Sequence, residues 1–289
     1  MNSAKPSAVR RLAIATVSYG SDEVLVTFLN SVAPSSSQRV EIVVADNKPL
    51  NSAIPGIAAG AGAGYIPMDH NLGYGGALNA AVASLPPEVE WVLLSNPDVV
   101  LSPGALDILV AAGERDPNIA SVGPCVLSPQ GTVYPSARSI PSLRDGIGHA
   151  LFANLWEDNP WSRSYRRDAD RVPVERDAGW LSGSCVLVRR SVFIELGGFD
   201  TGYFMYFEDV DLGYRFGKAG YRNLYEPNAV VTHTGAHSTN SESARMIVAH
   251  HESARRFLSR KYSGWYLWPL RFVLTVALKV RAAALSRRH

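Results

Sequence analysis

The sequence predicts an α/β domain with a mostly parallel central sheet, and three observations predict it. Short apolar runs alternate with helix-like segments through the first half of the chain. The runs are unbroken, as in strands covered by helices on both faces. Each run ends in small polar, acidic or glycine-rich residues, which is where such sheets hold ligands.

The elements follow in order. Residues 12–17 (LAIATV) read as a first strand and 22–31 as a helix, with Ser21 at its N-cap. Residues 40–45 (VEIVVA) are a second strand, 53–63 a weak helix rich in Ala and Gly, and 64–68 a short third strand. A helix over 76–84 stops at Pro86 and Pro87. A fourth strand at 91–94, a helix at 104–114 and a fifth strand at 119–127 complete the regular alternation. Residues 128–178 are polar and arginine-rich, with Trp156 and Trp161. They read either as a mobile lid or as an ordered surface excursion. Regular structure resumes at 180–190, 192–196 and 210–220, the last with helical spacing.

Composition agrees with a folded enzyme-sized body. The 289 residues are 46% apolar and 19% charged, which supplies a core and excludes a mostly disordered chain. Two cysteines, Cys125 and Cys185, exclude a disulfide scaffold and a zinc ribbon. Both lie in apolar runs, so they read as reduced core thiols and point to the cytosol. The opening MNSAKPSAVRR has no apolar stretch before the first strand, so no secretory signal is expected. The net charge of +2 divides unevenly: residues 1–252 balance at −7, and 253–289 carry nine basic residues and no acid.

Four strand ends carry chemistry. They are Thr16-Val17-Ser18-Tyr19, Asp46-Asn47, Asn71-Leu72-Gly73-Tyr74-Gly75-Gly76, and Asn96-Pro97-Asp98. Tyr19 can offer a ring face to a base, and Asp46 can accept from a base N–H. Gly73, Gly75 and Gly76, opening a helix, let backbone approach a diphosphate. No G-x-G-x-x-G follows the first strand and no G-x-x-x-x-G-K-[ST] occurs, so a dinucleotide Rossmann site is disfavoured and a P-loop excluded. A carboxylate at Asp98 beside a diphosphate calls for a hard cation, Mn²⁺ or Mg²⁺. Otherwise Asp98 only starts a turn.

The second half supplies further acids. The aromatic run Phe204-Met205-Tyr206-Phe207 leads into Glu208-Asp209-Val210-Asp211. Desolvation there raises a carboxylate pKa, which suits a general base. The acids also suit a helix N-terminus, and Asp211 fits that role well. His233, after a short apolar strand, is either a metal ligand beside Asp98 or a hydrogen-bonded structural residue. His250-His251-Glu252 lacks H-E-x-x-H spacing and reads as a solvated helix face.

In order, these motifs resemble an inverting glycosyltransferase of family 2 with the GT-A fold, over roughly residues 12–238. N-P-D-V, G-G-F-D before F-x-Y-F-E-D-V-D-L, and the following His resemble bacterial rhamnosyltransferases in particular. The resemblance implies a nucleotide-sugar site from Thr16, Ser18, Tyr19, Asp46, Asn71, Gly73, Gly76, Asn79, Asn96 and Asp98. It implies Asp209, with Glu208, as the catalytic acids, and Trp180 and Gly183 facing the acceptor. Asp98 matches the last acid of the family's D-x-D. The first position is Asn96, which raises the importance of His233 as a second metal ligand with Asp98. The closing H-x-x-G-x-S element is imperfect, because two residues and not one separate Gly235 from Ser238.

The implied domains are a catalytic body over 1–252, with a nucleotide half near 10–127 and an acceptor half near 128–252, then a basic amphipathic tail over 253–289. The implied donor is dTDP-L-rhamnose and the acceptor a polyprenyl-diphosphate-linked N-acetylglucosamine. Another hexosyl- or galactofuranosyltransferase, a non-catalytic sugar-nucleotide binder and a nicotinamide-dependent oxidoreductase are the competing readings. No basic–aromatic interleaving suggests nucleic acid as a partner, and oligomeric state stays open.

At the tail, Val273, Val276, Val280, Ala283 and Ala284 share one helical face, with Arg271, Lys279 and Arg281 opposite. The longest uncharged stretch after Trp265 is seven residues, well short of the ~20 that span a bilayer. Residues 264–289 therefore read as an interfacial helix holding a peripheral enzyme on the cytoplasmic membrane face, or as a helix packed on the body.

Overall fold

The structure is a computed structural model and describes residues 11–50, 52–142, 173–235, 243–269 and 271–276. The chain begins β1 (Arg11–Ser18), α1 (Asp22–Ser35), β2 (Val40–Asp46), α2 (Ile54–Gly60), β3 (Gly64–Pro67), α3 (Gly73–Ser84), β4 (Val89–Ser95) and β5 (Val99–Leu101). There follow α4 (Ala105–Glu114), β6 (Ile119–Leu127) and the short β7 (Val133–Tyr134), β8 (Ala137–Arg138), β9 (Arg176–Ala178) and β10 (Trp180–Leu181). Last come β11 (Cys185–Arg189), α5 (Arg190–Glu195), α6 (Glu208–Lys218), β12 (Arg222–His233) and α7 (Ser243–Lys261).

The main sheet runs β3-β2-β1-β4-β11-β6-β12-β5, with β7 beside β6 and β9 beside β12. It is parallel from β3 through β4. β11 then inserts antiparallel between β4 and β6. Alternate side chains of β1 explain the layers. Leu12 and Ile14 pack with Leu25 and Phe28 of α1, Ile54 of α2 and Leu106 of α4. Ala13 and Ala15 face Leu78 of α3, Phe193 of α5 and Phe216 of α6 on the other side.

The alternation read from sequence is present, with local differences. Helix α1 continues past residue 31 to Ser35 with Pro34 inside it. Ser21 occupies the N-cap position without a side-chain capping bond. Residues 192–196 fall in α5, while 180–190 divide into β10 and β11. The edge strand β5 was not expected. Both cysteines are buried free thiols, and burial pushes Cys185 up to about 12. Trp156 and Trp161, most of the expected lid, and His237 and Ser238 lie outside the described residues.

The division expected after residue 252 falls within α7. Phe257 is fully buried with Tyr203 and Val210. Arg256 and Arg260 pair with Asp200, and Arg260 also reaches Asp211. Residues 253–261 thus pack with the body, and charges counted from sequence as a free basic tail are in part structural.

Candidate active site

Strand register sets the site. Ser18 lies opposite Asp46, and Thr16 opposite Ser95, so β1, β2 and β4 end together. On the far side, His233 at the end of β12 lies opposite Val99 of β5. That antiparallel pairing delivers the imidazole to the segment after β4. His233 Nε2 stands 3.1 Å from Asp98 Oδ1 and 3.3 Å from Asn96 Nδ2. The Thr234 N–H and hydroxyl both donate to the Asp98 carbonyl, which pins the turn.

This trio is the candidate metal centre. One carboxylate, one imidazole and one amide suit Mn²⁺ or Mg²⁺ when phosphate oxygens complete the shell. Among the described residues no group of three or more His, Cys, Asp or Glu side chains converges. Any cation here therefore depends on the substrate for much of its coordination.

Glu208, Asp209 and Asp98 share a neighbour in Tyr74, on which all three charges bear. Phe207 and Tyr206 both have φ of 67°, a left-handed conformation unfavourable for aromatic residues. The bend turns the chain into α6 and aims its first two residues inward. The His250 ring packs on Tyr206 and Phe207, and Ser253 Oγ donates to the Met205 carbonyl at 2.8 Å. Helix α7 therefore holds this strained segment. His250 remains exposed on the helix, as its sequence context suggested, while gaining this packing role.

Glu208 and Asp209 differ in environment. Asp209 Oδ2 accepts the Gly183 N–H at 2.9 Å, and Oδ1 accepts the Val210 N–H at 2.8 Å. Both bonds favour its charged form, as does the Arg138 guanidinium, although burial pushes its pKa upward overall. Glu208 is buried with Oε2 unpartnered. Burial first, and then Asp209, push its pKa up to about 8. At neutral pH Glu208 thus keeps its proton and Asp209 is the better carboxylate, a division of roles typical of paired acids. Asp211 is different: fully buried, it pairs with Arg215 at 2.6 Å and Arg260 at 3.2 Å. It is structural.

The glycines are closely packed. A Cβ on Gly73 (φ 72°) would stand 2.2 Å from the Phe204 carbonyl oxygen, and one on Gly75 2.7 Å from Phe199 Cβ. Gly76 is buried against Leu72. These residues let α3 meet the 199–204 segment. Asn71 Oδ1 accepts the Gly73 N–H at 2.9 Å and shapes the turn. Asn79 is likewise occupied, donating to the Phe199 carbonyl and accepting the Phe199 N–H. It braces the G-G-F-D turn and is not presented to a ligand.

At the nucleotide edge, Thr16, Ser18 and Asp46 are all buried. Asp46 accepts from the Lys48 N–H and the Tyr65 hydroxyl. Tyr19 is 45% exposed, with the Lys48 ammonium 5.6 Å from its ring centre, and these two present themselves to solvent. Trp180 is part-buried, its indole N–H bonded to the Ser139 carbonyl and its ring 5.7 Å from the Arg138 guanidinium. Sequence reading missed Lys48, Tyr65, Tyr74 and Arg138. Lys48 and Tyr65 had only their nearness to Asp46 as a signal.

Residues 9–250 match the family described as "Glycosyltransferase like family 2". The chain belongs to this glycosyltransferase family. Among curated relatives, the glycosyltransferase is 42% identical over 290 residues to an N-acetylglucosaminyl-diphospho-decaprenol L-rhamnosyltransferase of Mycobacterium tuberculosis, covering 96% of this chain and 93% of that one. It is 29% identical over 255 residues to the rhamnosyltransferase WbbL of Escherichia coli K12, covering 86% and 92%. Among solved structures, a Pyrobaculum calidifontis mannosyltransferase in complex with GDP-Man and Mn²⁺ aligns with a TM-score of 0.60 at 16% identity, covering 96% of this chain and 76% of that one. GalNAc-T7 with UDP, GalNAc and Mn²⁺ aligns at 0.59 and 16%, covering 79% and 44%. The glycosyltransferase thus has the expected GT-A fold.

Proposed function

We propose that the enzyme transfers L-rhamnose from dTDP-L-rhamnose to a polyprenyl-diphosphate-linked N-acetylglucosamine, inverting the anomeric centre. The observation that carries this reading is the 42% identity to the mycobacterial rhamnosyltransferase over nearly the whole of both chains.

Asp209 accepts the proton of the acceptor hydroxyl, and that oxygen attacks the anomeric carbon opposite the leaving diphosphate. The Gly183 and Val210 N–H groups keep Asp209 ionised and oriented. Glu208, carrying its proton, avoids a second buried negative charge beside the base. Asp98 and His233, with Asn96 flanking, would hold a divalent cation, which would supply positive charge against the departing diphosphate. Tyr19 and Lys48 meet the base and phosphate portion of the donor.

The test is a donor panel of dTDP-rhamnose, UDP-galactose, UDP-N-acetylglucosamine and GDP-mannose with a lipid-linked N-acetylglucosamine acceptor, with Mn²⁺, Mg²⁺ or chelator. Rhamnosylated product formed only from dTDP-rhamnose and suppressed by chelator is expected. Efficient transfer from a UDP-sugar instead points to the hexosyl reading and overturns the donor assignment.

The tail bears on location. Trp265 and Trp268 are 83% and 63% exposed, and Phe272 and Val273 are also exposed beside Arg271. No helix among the described residues is long and apolar enough to cross a membrane. Exposed tryptophans beside basic residues favour an interfacial position over packing on the body. We therefore propose a peripheral enzyme on the cytoplasmic membrane face. Residues 277–289, including Lys279, Val280, Arg281, Ala283 and Ala284, lie outside the described part. Co-sedimentation with anionic vesicles is expected for the full chain and not for a chain ending at Ser263. Equal sedimentation of both contradicts the anchor.

A further inference from the structure

Tyr74 lies on the first turn of α3, within the glycine-rich segment, and connects three parts of the site. Its backbone N–H donates to the Phe204 carbonyl at 3.4 Å, on the segment leading into Glu208 and Asp209. Its hydroxyl donates to the Gly183 carbonyl. The Gly183 N–H in turn donates to Asp209 Oδ2 at 2.9 Å. Gly183 is fitted between the two side chains: a Cβ there would stand 3.3 Å from Asp209 Cβ and 3.4 Å from Tyr74 Cε1.

We infer that Tyr74 is a positioning residue for the base, fixing the Gly183 carbonyl so that the turn directs its N–H at Asp209. This rests on Asp209 being the base. A carbonyl anchored by a phenol hydroxyl restrains rotation of the local backbone, and a fixed N–H donor keeps the carboxylate charged and aligned. Packing alone does not explain the hydroxyl. The ring, with its centre 6.2 Å from that of Phe199, would pack as well in phenylalanine.

Tyr74→Phe removes the bond and leaves the ring. The expected result is a kcat about tenfold lower, the loss that follows when one orienting hydrogen bond is removed. The donor KM, and dTDP-rhamnose affinity by calorimetry, are expected to stay within about twofold. The acid limb of the kcat profile should move to higher pH by up to about one unit, because Asp209 loses an aligned donor. Asp209 is faced by Glu208 on its own helix and Arg138 from β8, while Asp98 and Cys185 bear on Tyr74. None of these is altered by the substitution.

An Asp209→Asn background separates this inference from the reading on which it rests. If Asp209→Asn lowers transfer by ~10²–10⁴ and leaves a measurable residual rate, the base stands. Adding Tyr74→Phe to it should then cost nothing more, because Tyr74 acts through that carboxylate. Undiminished kcat in Tyr74→Phe overturns the inference. So does a loss of donor affinity or folding equal to the loss of rate, or an additive loss in the double variant. Full activity of Asp209→Asn instead overturns the base assignment itself.

Discussion

Replacing Glu208 by Gln tests the buried acid pair through stability. The side chain keeps its shape and loses its ability to ionise. In the folded protein Glu208 is held at about 8, against an ordinary value of 4.5, by burial and then by Asp209. Below the ordinary value both folded and unfolded forms are protonated, and Glu208 imposes no pH-dependent cost. As pH rises through the window from about 4.5 to 8, the unfolded chain releases a proton that the folded chain retains. Folding stability therefore falls as pH rises through this window, by up to about 1.4 kcal/mol per pH unit where the two forms differ by one proton. Gln cannot contribute this slope. The amide leaves polar atoms where Oε2 is already unpartnered, so a roughly constant offset of about 1–3 kcal/mol accompanies it. Urea unfolding of both proteins at several pH values from 5 to 9 gives the difference directly. The Glu208→Gln protein should gain on the wild type steadily with pH and level off above about 8. Parallel stability curves would show that Glu208 ionises normally, and the division of roles between the two acids would then be wrong.

Other expectations follow from the same geometry. Asp98→Ala and His233→Ala should each weaken Mn²⁺-dependent binding of dTDP-rhamnose by calorimetry; unchanged metal-dependent affinity in the His233 variant removes the imidazole from the ligand set. Phe257→Ala should cost about 3–5 kcal/mol in urea unfolding, because a fully buried ring beside Tyr203 and Val210 leaves a cavity. A cost below about 1 kcal/mol would show that α7 is not packed into the body.

The sequence carried the sheet and the identity of the acids better than it carried their arrangement. Unbroken apolar runs revealed β1, β2, β4 and β6, because strands covered on both faces leave that pattern. Strand β5 was hidden: three residues after N-P-D show no periodicity, and the same letters start a turn. Yet β5 pairs with β12 and brings Asp98 to His233. The glycines of α3 are ambiguous for a different reason. A glycine required by close protein packing and one required by a phosphate read alike, and only the structure shows Phe204 and Phe199 lying against them. Tyr74 had no distinguishing signal, since its partner Gly183 is 109 residues away. The packing of residues 253–261 was hidden because acidic residues stop at Glu252, while α7 runs on and buries Phe257.

The most direct test of Asp209 as the base is transfer by Asp209→Asn, measured with dTDP-rhamnose and the lipid-linked acceptor alongside donor binding by calorimetry. The amide retains the shape and cannot take the acceptor proton. Transfer should fall by ~10²–10⁴ while donor affinity stays within about twofold of wild type. Turnover near the wild-type rate would contradict it and move the proton acceptor to another side chain.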